Sequence, residues 1–428
     1  MVFDNLSNKE KVYWLNYLLR MEDRFAQQTK QLSGTSSNAM HPRRRALLKD
    51  ANLFYQQFYT QIKEDLYPLV SKEALLTPEV LAFNYKGIST FSLGYIMRDW
   101  GNGQDNEQQQ IITQTIEQKL QTLALAPELG KALFMGCGMG RYAVDFAHRY
   151  EKVAAFDASA LMIWCIEYLQ KVAHWEVLNK AARNCRTVED TVQRMLVQIT
   201  AAQQAIIETK VDFFVANATS IPLEKQSVDH IYSIYFTDVL PLPTLYQEVN
   251  DLLVEEGLFI HFGPLEYFFE VEEEMLSAEE VRLFFEAQGY HILVDEFLAT
   301  KHLSSENSMR HRVYDNWFFI AQKSKSKTVA LLDMQTVLYL NDKAEISSTS
   351  LIEQGSCAAV EHQAKLGAQS YELPAIVYEL LLQINGKATI QLLLETLELT
   401  DIAPEDQERL LQILQELATS NILQTTPL

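Results

Sequence analysis

Phe134-Met135-Gly136-Cys137-Gly138-Met139-Gly140-Arg141 places alternate glycines directly after a short apolar run, and Phe156-Asp157-Ala158-Ser159 ends the next apolar run on a carboxylate. Glycine lets a backbone turn tightly and approach a ligand closely, because no Cβ intervenes. Tyr142 to Tyr150 reads as the helix that this turn opens. An acid closing the second strand suits the hydroxyls of a ribose. Strand, glycine turn, helix, strand and acid make up the order that an adenosine-containing cofactor needs, so Gly136, Gly138, Gly140, Asp157 and Ala158 are candidate cofactor contacts. Cys137 lies inside the turn and reads as a small residue tolerated beside a cofactor.

The turn alone does not choose between cofactors. Counted from Gly136, the nicotinamide fingerprint wants its last glycine at Arg141; counted from Gly138, that place is Ala143. After the third strand come Ala216-Asn217-Ala218-Thr219-Ser220-Ile221-Pro222-Leu223 and Ser227-Val228-Asp229-His230. These resemble the G-D-A-x-x-L-P and S-F-D run of class I S-adenosylmethionine methyltransferases, with Asn217 and Ala218 at the adenine. Leu252-Leu253-Val254-Glu255-Glu256-Gly257-Leu258 resembles the L-K-P-G-G turn before the fifth strand. A methyltransferase using S-adenosyl-L-methionine therefore ranks above a nicotinamide-dependent reductase, and the intact glycines and Asp157 argue against a retired, non-catalytic scaffold.

A narrower resemblance covers roughly residues 40 to 322. Tyr95-Ile96-Met97-Arg98-Asp99-Trp100 resembles the R-D-W motif of the carnosine N-methyltransferase family, and Phe262-Gly263-Pro264-Leu265-Glu266-Tyr267-Phe268-Phe269 resembles its G-P-L-x-Y-x-F stretch. Ser277-Ala278-Glu279-Glu280-Val281, Gln288-Gly289-Tyr290 and Val313-Tyr314-Asp315-Asn316 follow in family order. The resemblance implies that Arg98 meets the cofactor's carboxylate and that Tyr235 also lines the cofactor. Family members methylate an imidazole nitrogen of a histidine-containing dipeptide. Such a nucleophile needs its other nitrogen held as N–H, which a carboxylate or tyrosine can do. Asp238, after strand four, and Tyr267 and Tyr314, carried by the other motifs, are the candidate catalytic residues. Their plainer roles are a helix cap for Asp238 and packing for the tyrosines. Three residues past the aspartate the family carries a histidine that helps hold carnosine, and here that place is Pro241. A histidine within a peptide, or another small histidine-containing molecule, is the expected substrate.

The positioning elements follow from periodicity. From Leu133, strands near 132–135, 153–156, 212–215, 230–235, 257–262, 290–295 and 316–321 alternate with helices, which predicts an α/β, doubly wound, mostly parallel seven-stranded sheet, Rossmann-like as in class I methyltransferases. Residues 126–322 are that domain. Ala160 to Lys210 reads as a long helical insertion, placed where the family carries one. Residues 1–125 read as a helical region, with Lys9 to Gln31 and Arg44 to Leu66 carrying apolar residues at spacings of three and four and a loop at 32–38 between them. His41-Pro42-Arg43-Arg44-Arg45 reads as a helix start with a solvated basic face. Lys323-Ser324-Lys325-Ser326-Lys327 has linker composition. Beyond it, 328–428 reads as a small α+β domain: a hairpin strand over Thr328 to Leu340, then helices over Leu373 to Leu382, Ile390 to Leu397 and Glu405 to Ser420. It is winged-helix-like and loosely resembles domains that capture peptides. Peptide or protein binding, or a homodimer contact, fits it.

Composition bounds the partners. The formal net charge of −20 over 428 residues disfavours nucleic acid and anionic membrane surfaces. The four cysteines, Cys137, Cys165, Cys185 and Cys357, show no C-x-x-C spacing, so no metal site and no disulfide framework is expected. Met1-Val2-Phe3-Asp4-Asn5 has no basic and apolar leader pattern, and no apolar run approaches a membrane span. The expectation is a soluble, cytoplasmic enzyme.

Overall fold

The computed structural model of the chain describes residues 2–34, 39–71, 93–101, 107–123, 129–181, 183–303, 308–325, 332–353, 356–366, 369–399, 402–420 and 422–425. The chain divides into two compact units, residues 1–278 with 292–323 and residues 279–291 with 324–428.

The first unit opens with α1 (Asn8–Ser33), α2 (Pro42–Leu66), α3 (Leu93–Trp100) and α4 (Glu107–Thr122). A capping box starts α1: Ser7 accepts from the Glu10 N–H, and the Glu10 carboxylate accepts from the Ser7 N–H at 2.8 Å. Pro42 pre-sets the first turn of α2. The helical spacing of aromatics then joins the pair, with Phe25 stacked on Tyr55 at 4.6 Å between centroids. Both helices fall where the periodicity predicts them; residues 35–38 of the loop between them lie outside the described residues. Arg43, from the basic cluster, forms an exposed ion pair with Glu189 at 2.9 Å.

Strands and helices then alternate as β1 (Leu129–Met135), α5 (Arg141–Phe146), β2 (Tyr150–Asp157), α6 (Ala160–Val172), β3 (His174–Lys180), β4 (Val192–Gln198), α7 (Ala201–Lys210), β5 (Val211–Val215), β6 (Val228–Ile234), α8 (Leu242–Leu252), β7 (Leu253–Gly263), α9 (Ala278–Ala287), β8 (Tyr290–His302) and β9 (Arg312–Lys323). Seven of these strands form one sheet in the order β5-β2-β1-β6-β7-β9-β8. β5, β2, β1, β6 and β7 run parallel to one another, and β9 runs antiparallel to β7. This is the expected doubly wound class I methyltransferase arrangement. The chain goes one way from β1 to β2 and β5, then returns to the other side of β1 with β6. The carboxyl ends of β1 and β6 therefore part at a switch point, where open α/β sheets take their ligands. Phe134, Tyr232, Phe146 and Ile260 fill the core on one face, and Leu161, Cys165, Ile166 and Val144 fill it on the other.

The insertion at 160–210 is not helical throughout, contrary to its periodicity. α6 ends at Val172, and β3 and β4 pair as an antiparallel hairpin with Val177 opposite Met195. Trp175 and Val177 on β3, and Met195 and Val197 on β4, turn inward on either side of exposed Glu176 and Leu196, a period of two, but nearby apolar residues also fit helical spacing. The stop that separates the elements is Ala173 at φ 60°, a left-handed position that glycine would have advertised.

In the second unit, β10 (Tyr339–Leu340) pairs with β14 (Leu423–Gln424). β11 (Glu345–Glu353), β12 (Ser356–Leu366) and β13 (Gln369–Leu373) form an antiparallel sheet, and α10 (Ala375–Gln383), α11 (Ile390–Thr396) and α12 (Pro404–Thr419) are the three expected helices. Among the described residues the strand predicted over 328–340 keeps only its last two, Tyr339 and Leu340. Residues 328–331 lie outside the described ones, and a turn closed by Thr336 N–H to Asp333 O at 3.0 Å interrupts the rest. The three-stranded sheet at 345–373 is too polar in sequence to read as strands. Leu380, Leu393, Leu414 and Leu417 make the core beneath it. The proposed linker's last two residues, Ser326 and Lys327, are also outside the described residues.

Candidate active site

The glycine turn sits at the carboxyl end of β1 and is folded by its neighbours. Cys137 N–H donates to Phe156 O at 2.8 Å and Gly140 N–H to Cys137 O at 2.9 Å. All three glycines hold positive φ, 57°, 55° and 74° at Gly136, Gly138 and Gly140. Their reasons differ. A Cβ on Gly136 would lie 2.1 Å from the Phe236 ring and one on Gly140 2.4 Å from Phe213, whereas one on Gly138 would meet nothing within 4 Å. Gly136 and Gly140 serve packing, and Gly138 presents bare backbone to open space.

Asp157 ends β2 beside that space. Its carboxylate accepts from Gly138 N–H at 3.0 Å and from Ser159 N–H at 2.8 Å. Burial raises its pKa to about 6, against those two N–H groups, which pull it down. Each oxygen keeps acceptor capacity for a ligand hydroxyl. Ala158 lies next to it, half-buried. The Ser159 hydroxyl is buried with no partner among the described residues. Cys137 is no thiolate, since burial pushes its thiol well up.

The R-D-W residues close the other side of the turn. Trp100 Nε1–H donates to Met139 O at 2.7 Å, and Arg141 donates to Asp99 O at 3.0 Å. Arg98 and Asp99 are buried and form an ion pair at 2.5 Å. Burial disfavours the Arg98 charge, but Asp99 outweighs this and holds its pKa above the ordinary value. The guanidinium lies over the rings of Tyr95 and Tyr142, at 5.4 and 5.7 Å. Asp99 Oδ2 and the Tyr142 hydroxyl are buried with no partner among the described residues. Orphaned polar atoms in this number are expensive unless a ligand meets them. An amino-acid moiety fits them: its carboxylate could take Arg98, its ammonium Asp99 Oδ2. Asp157 and Gly138 could then hold the ribose.

Asn217 and Ala218 follow β5. Ala218 is buried and Asn217 exposed; Asn217 Oδ1 accepts from Thr219 N–H at 3.1 Å in a local turn. Tyr235 stands at the end of β6 at φ 58°. Its hydroxyl takes a hydrogen bond from Gln108 at 2.8 Å, and its ring lies 5.2 Å from His302 and 6.2 Å from Tyr314.

Asp238 sits in a one-turn helix, Thr237–Val239, and is 2% exposed. Its Oδ2 accepts from Glu266 N–H at 2.8 Å, while Oδ1 is buried with no partner among the described residues. Burial raises its pKa, and the Glu266 N–H partly opposes this. Below it a buried chain runs from Ser233 through Thr237 to His261, at 2.7 and 2.8 Å, and His261 reaches Gly263 O at 3.1 Å. Tyr314 donates to Glu266 and accepts from Arg312 at 2.9 Å; burial, and then its bond to Glu266, raise its pKa to about 12. Asp238 and Tyr314 thus share the Glu266 segment. Tyr267 does not join them: its hydroxyl donates to Leu276 O at 2.5 Å.

Sequence reasoning missed Gln108 and His302. Gln108 Nε2 lies 3.2 Å from His302 Nδ1 as well as bonding Tyr235, and Gln108 Oε1 accepts from Leu303 N–H at 3.1 Å. Burial, then the charges of Arg98 and Arg312, lower His302 to about 4, so it is neutral at pH 7. Both lie in stretches with no motif; only their being polar on buried faces could have marked them.

Among the described residues no helix is long and apolar enough to cross a membrane, and no group of three or more His, Cys, Asp or Glu could hold a metal ion. The sequence model of the family described as Carnosine N-methyltransferase matches residues 85–325. No curated protein matches. Among solved structures, the chain is similar to YcgJ protein from Bacillus subtilis, with 14% identity, 50% of this chain and 99% of that one covered, and a TM-score of 0.33. Magnesium protoporphyrin IX methyltransferase from Synechocystis PCC 6803 with bound SAH gives 13%, 54%, 93% and 0.34. A SAM dependent methyltransferase from Aquifex aeolicus gives 15%, 48%, 88% and 0.30.

Proposed function

The chain belongs to the carnosine N-methyltransferase family, and we propose that this S-adenosylmethionine-dependent methyltransferase methylates an imidazole nitrogen of a histidine, in a peptide or in a small histidine-containing molecule. The bound cofactor supplies an electrophilic methyl on a sulfonium; the chain has to bind it, align the nucleophile and exclude water. Arg98 and Asp99 are assigned to its amino-acid end, Gly138 to its close approach on a turn that Gly136 and Gly140 pack into place, Asp157 and Ala158 to the ribose, and Asn217 and Ala218 to the adenine. Tyr235 lines the same space.

The observation that carries the substrate reading is Asp238 Oδ1, a buried carboxylate oxygen without a partner among the described residues. An imidazole N–H donating to it would fix the tautomer that leaves the other nitrogen's lone pair free. The imidazolium formed by methylation loses that N–H proton towards Asp238, whose raised pKa suits an acceptor. Tyr314, His302 and Tyr235 form an aromatic wall at 5.1 to 6.2 Å from one another, suited to a flat ring. Tyr267, bonded to Leu276 O, supports the loop and is proposed as a positioning residue. Pro241 caps α8 and offers no side-chain donor, which favours an acceptor other than carnosine.

The test is turnover with labelled cofactor on a histidine-containing peptide and on the same peptide carrying glutamine in place of histidine. Label transfer to the first alone is expected, lowered roughly a hundredfold by Asp238→Asn. Equal labelling of both peptides overturns the reading.

A further inference from the structure

Gln108 and His302 lie outside every motif identified above, yet one set of hydrogen bonds joins them at the aromatic wall. Gln108 is the second residue of α4 and is 6% exposed. His302 ends β8 and is half-buried. As part of a wall, position 302 needs only a flat ring, which a phenylalanine would supply. What the bonds add is a choice of where the imidazole carries its proton.

The choice follows atom by atom. Leu303 N–H can only donate, so the Gln108 atom that it meets at 3.1 Å is the amide oxygen. That fixes the orientation of the amide. Its nitrogen carries two hydrogens and meets two atoms, the Tyr235 hydroxyl oxygen at 2.8 Å and His302 Nδ1 at 3.2 Å. A neutral imidazole has one acceptor nitrogen and one N–H. With Nδ1 accepting from Gln108, the proton of His302 sits on Nε2. An imidazolium would set N–H against N–H at that contact. Burial and the Arg98 and Arg312 charges also lower His302 to about 4, which keeps the ring neutral. Among the described residues Nε2 has no hydrogen-bond partner.

Two consequences bear on the methyl acceptor. Within the wall, whose rings stand 5.1 and 5.2 Å from that of His302, Nε2–H is a donor that an oxygen of the incoming molecule would complete. Neither nitrogen of His302 keeps a free lone pair, since one is bonded to Gln108 and the other is protonated. A histidine that lines a site read as methylating histidines is thereby withheld from the methyl donor.

We propose that Gln108 is a positioning residue that fixes the Nε2–H tautomer of His302, and that this N–H donates to a carbonyl oxygen of the methyl acceptor. The inference rests on the imidazole-methylation reading for what enters the site, whereas the tautomer itself needs nothing bound.

The test begins with nuclear magnetic resonance of the full chain carrying isotope-labelled histidine rings, with His302→Phe assigning the signal. At pH 7 the Nδ1 of His302 is expected unprotonated and its Nε2 protonated. A proton on Nδ1, an exchanging mixture of tautomers or an imidazolium overturns the proposal. Gln108→Glu keeps the length of the side chain and an oxygen for Leu303 N–H, but sets an acceptor against Nδ1. Its spectrum, recorded at pH 8 to keep the ring neutral beside the new carboxylate, should show the proton moved to Nδ1; an unmoved proton overturns the role of Gln108. Where Gln108→Glu does not fold, Gln108→Met takes its place and should show both tautomers in exchange, a single Nε2–H form again overturning that role. Kinetics on the histidine-containing peptide read the donor. His302→Phe keeps a ring and loses one hydrogen bond, so KM for the peptide should rise roughly tenfold with kcat held within about twofold. An unchanged KM removes the donor. Equal methylation of the peptide carrying glutamine in place of histidine strikes the imidazole reading alone, because the spectra are recorded without any methyl acceptor.

Discussion

Gly136 and Gly138 stand two residues apart in one turn and require glycine for different reasons. Gly136→Ala drives a methyl into Phe236 and is expected to cost the fold several degrees of melting temperature. Gly138→Ala meets open space and carries only the left-handed strain of about 1 kcal/mol. It should keep the fold while cofactor binding, read by calorimetry, is lost. Arg98→Ala removes a charge-assisted contact and should weaken the cofactor by roughly tenfold to a hundredfold. Asp157 sets a pH window. Its folded pKa of about 6 exceeds the ordinary 3.8, so its contribution to the stability of the cofactor-free chain is full below 3.8 and is lost as pH rises through 6. Ribose hydroxyls donate to the ionised form, so cofactor affinity should fall as pH drops below 6. Titrating the dissociation constant between pH 5 and 8 checks the sign. Gly138, Asp157 and Arg98 were legible because their chemistry is written in local spacing. His302 and Gln108 were not, since only the return of β8 brings His302 to Tyr235.

At the scale of elements, the R-D-W segment acts as a clamp. α3 is eight residues long, too short to persist alone, and it is fixed to the glycine turn by the Trp100 indole and by Arg141. Trp100→Phe keeps an aromatic ring but loses the indole N–H that bonds Met139 O and part of a fully buried side chain; a destabilisation of more than about 1 kcal/mol is expected, together with weaker cofactor binding, measured by denaturant melts with and without cofactor. The central parallel strands were readable because buried parallel strands appear as unbroken apolar runs. The β3–β4 hairpin was hidden because Ala173 makes a turn without glycine, and β11–β13 because a sheet with polar side chains shows no apolar alternation.

At the scale of the whole molecule, the family match at 85–325 falls on the methyl-transfer machinery, and the C-terminal residues beyond it form an α+β unit with its own core. The net charge of −20 fits substrates that are neutral or basic rather than nucleic acid. The proposed cofactor side of the site rests on Arg98, Gly138 and Asp157; the proposed acceptor side rests on Asp238 and the wall of Tyr235, His302 and Tyr314. The most direct measurement is tandem mass spectrometry of a histidine-containing peptide after turnover with the isotope-labelled methyl donor. The account predicts the label on an imidazole nitrogen. A label on a lysine amine, a carboxyl oxygen or a carbon would contradict it.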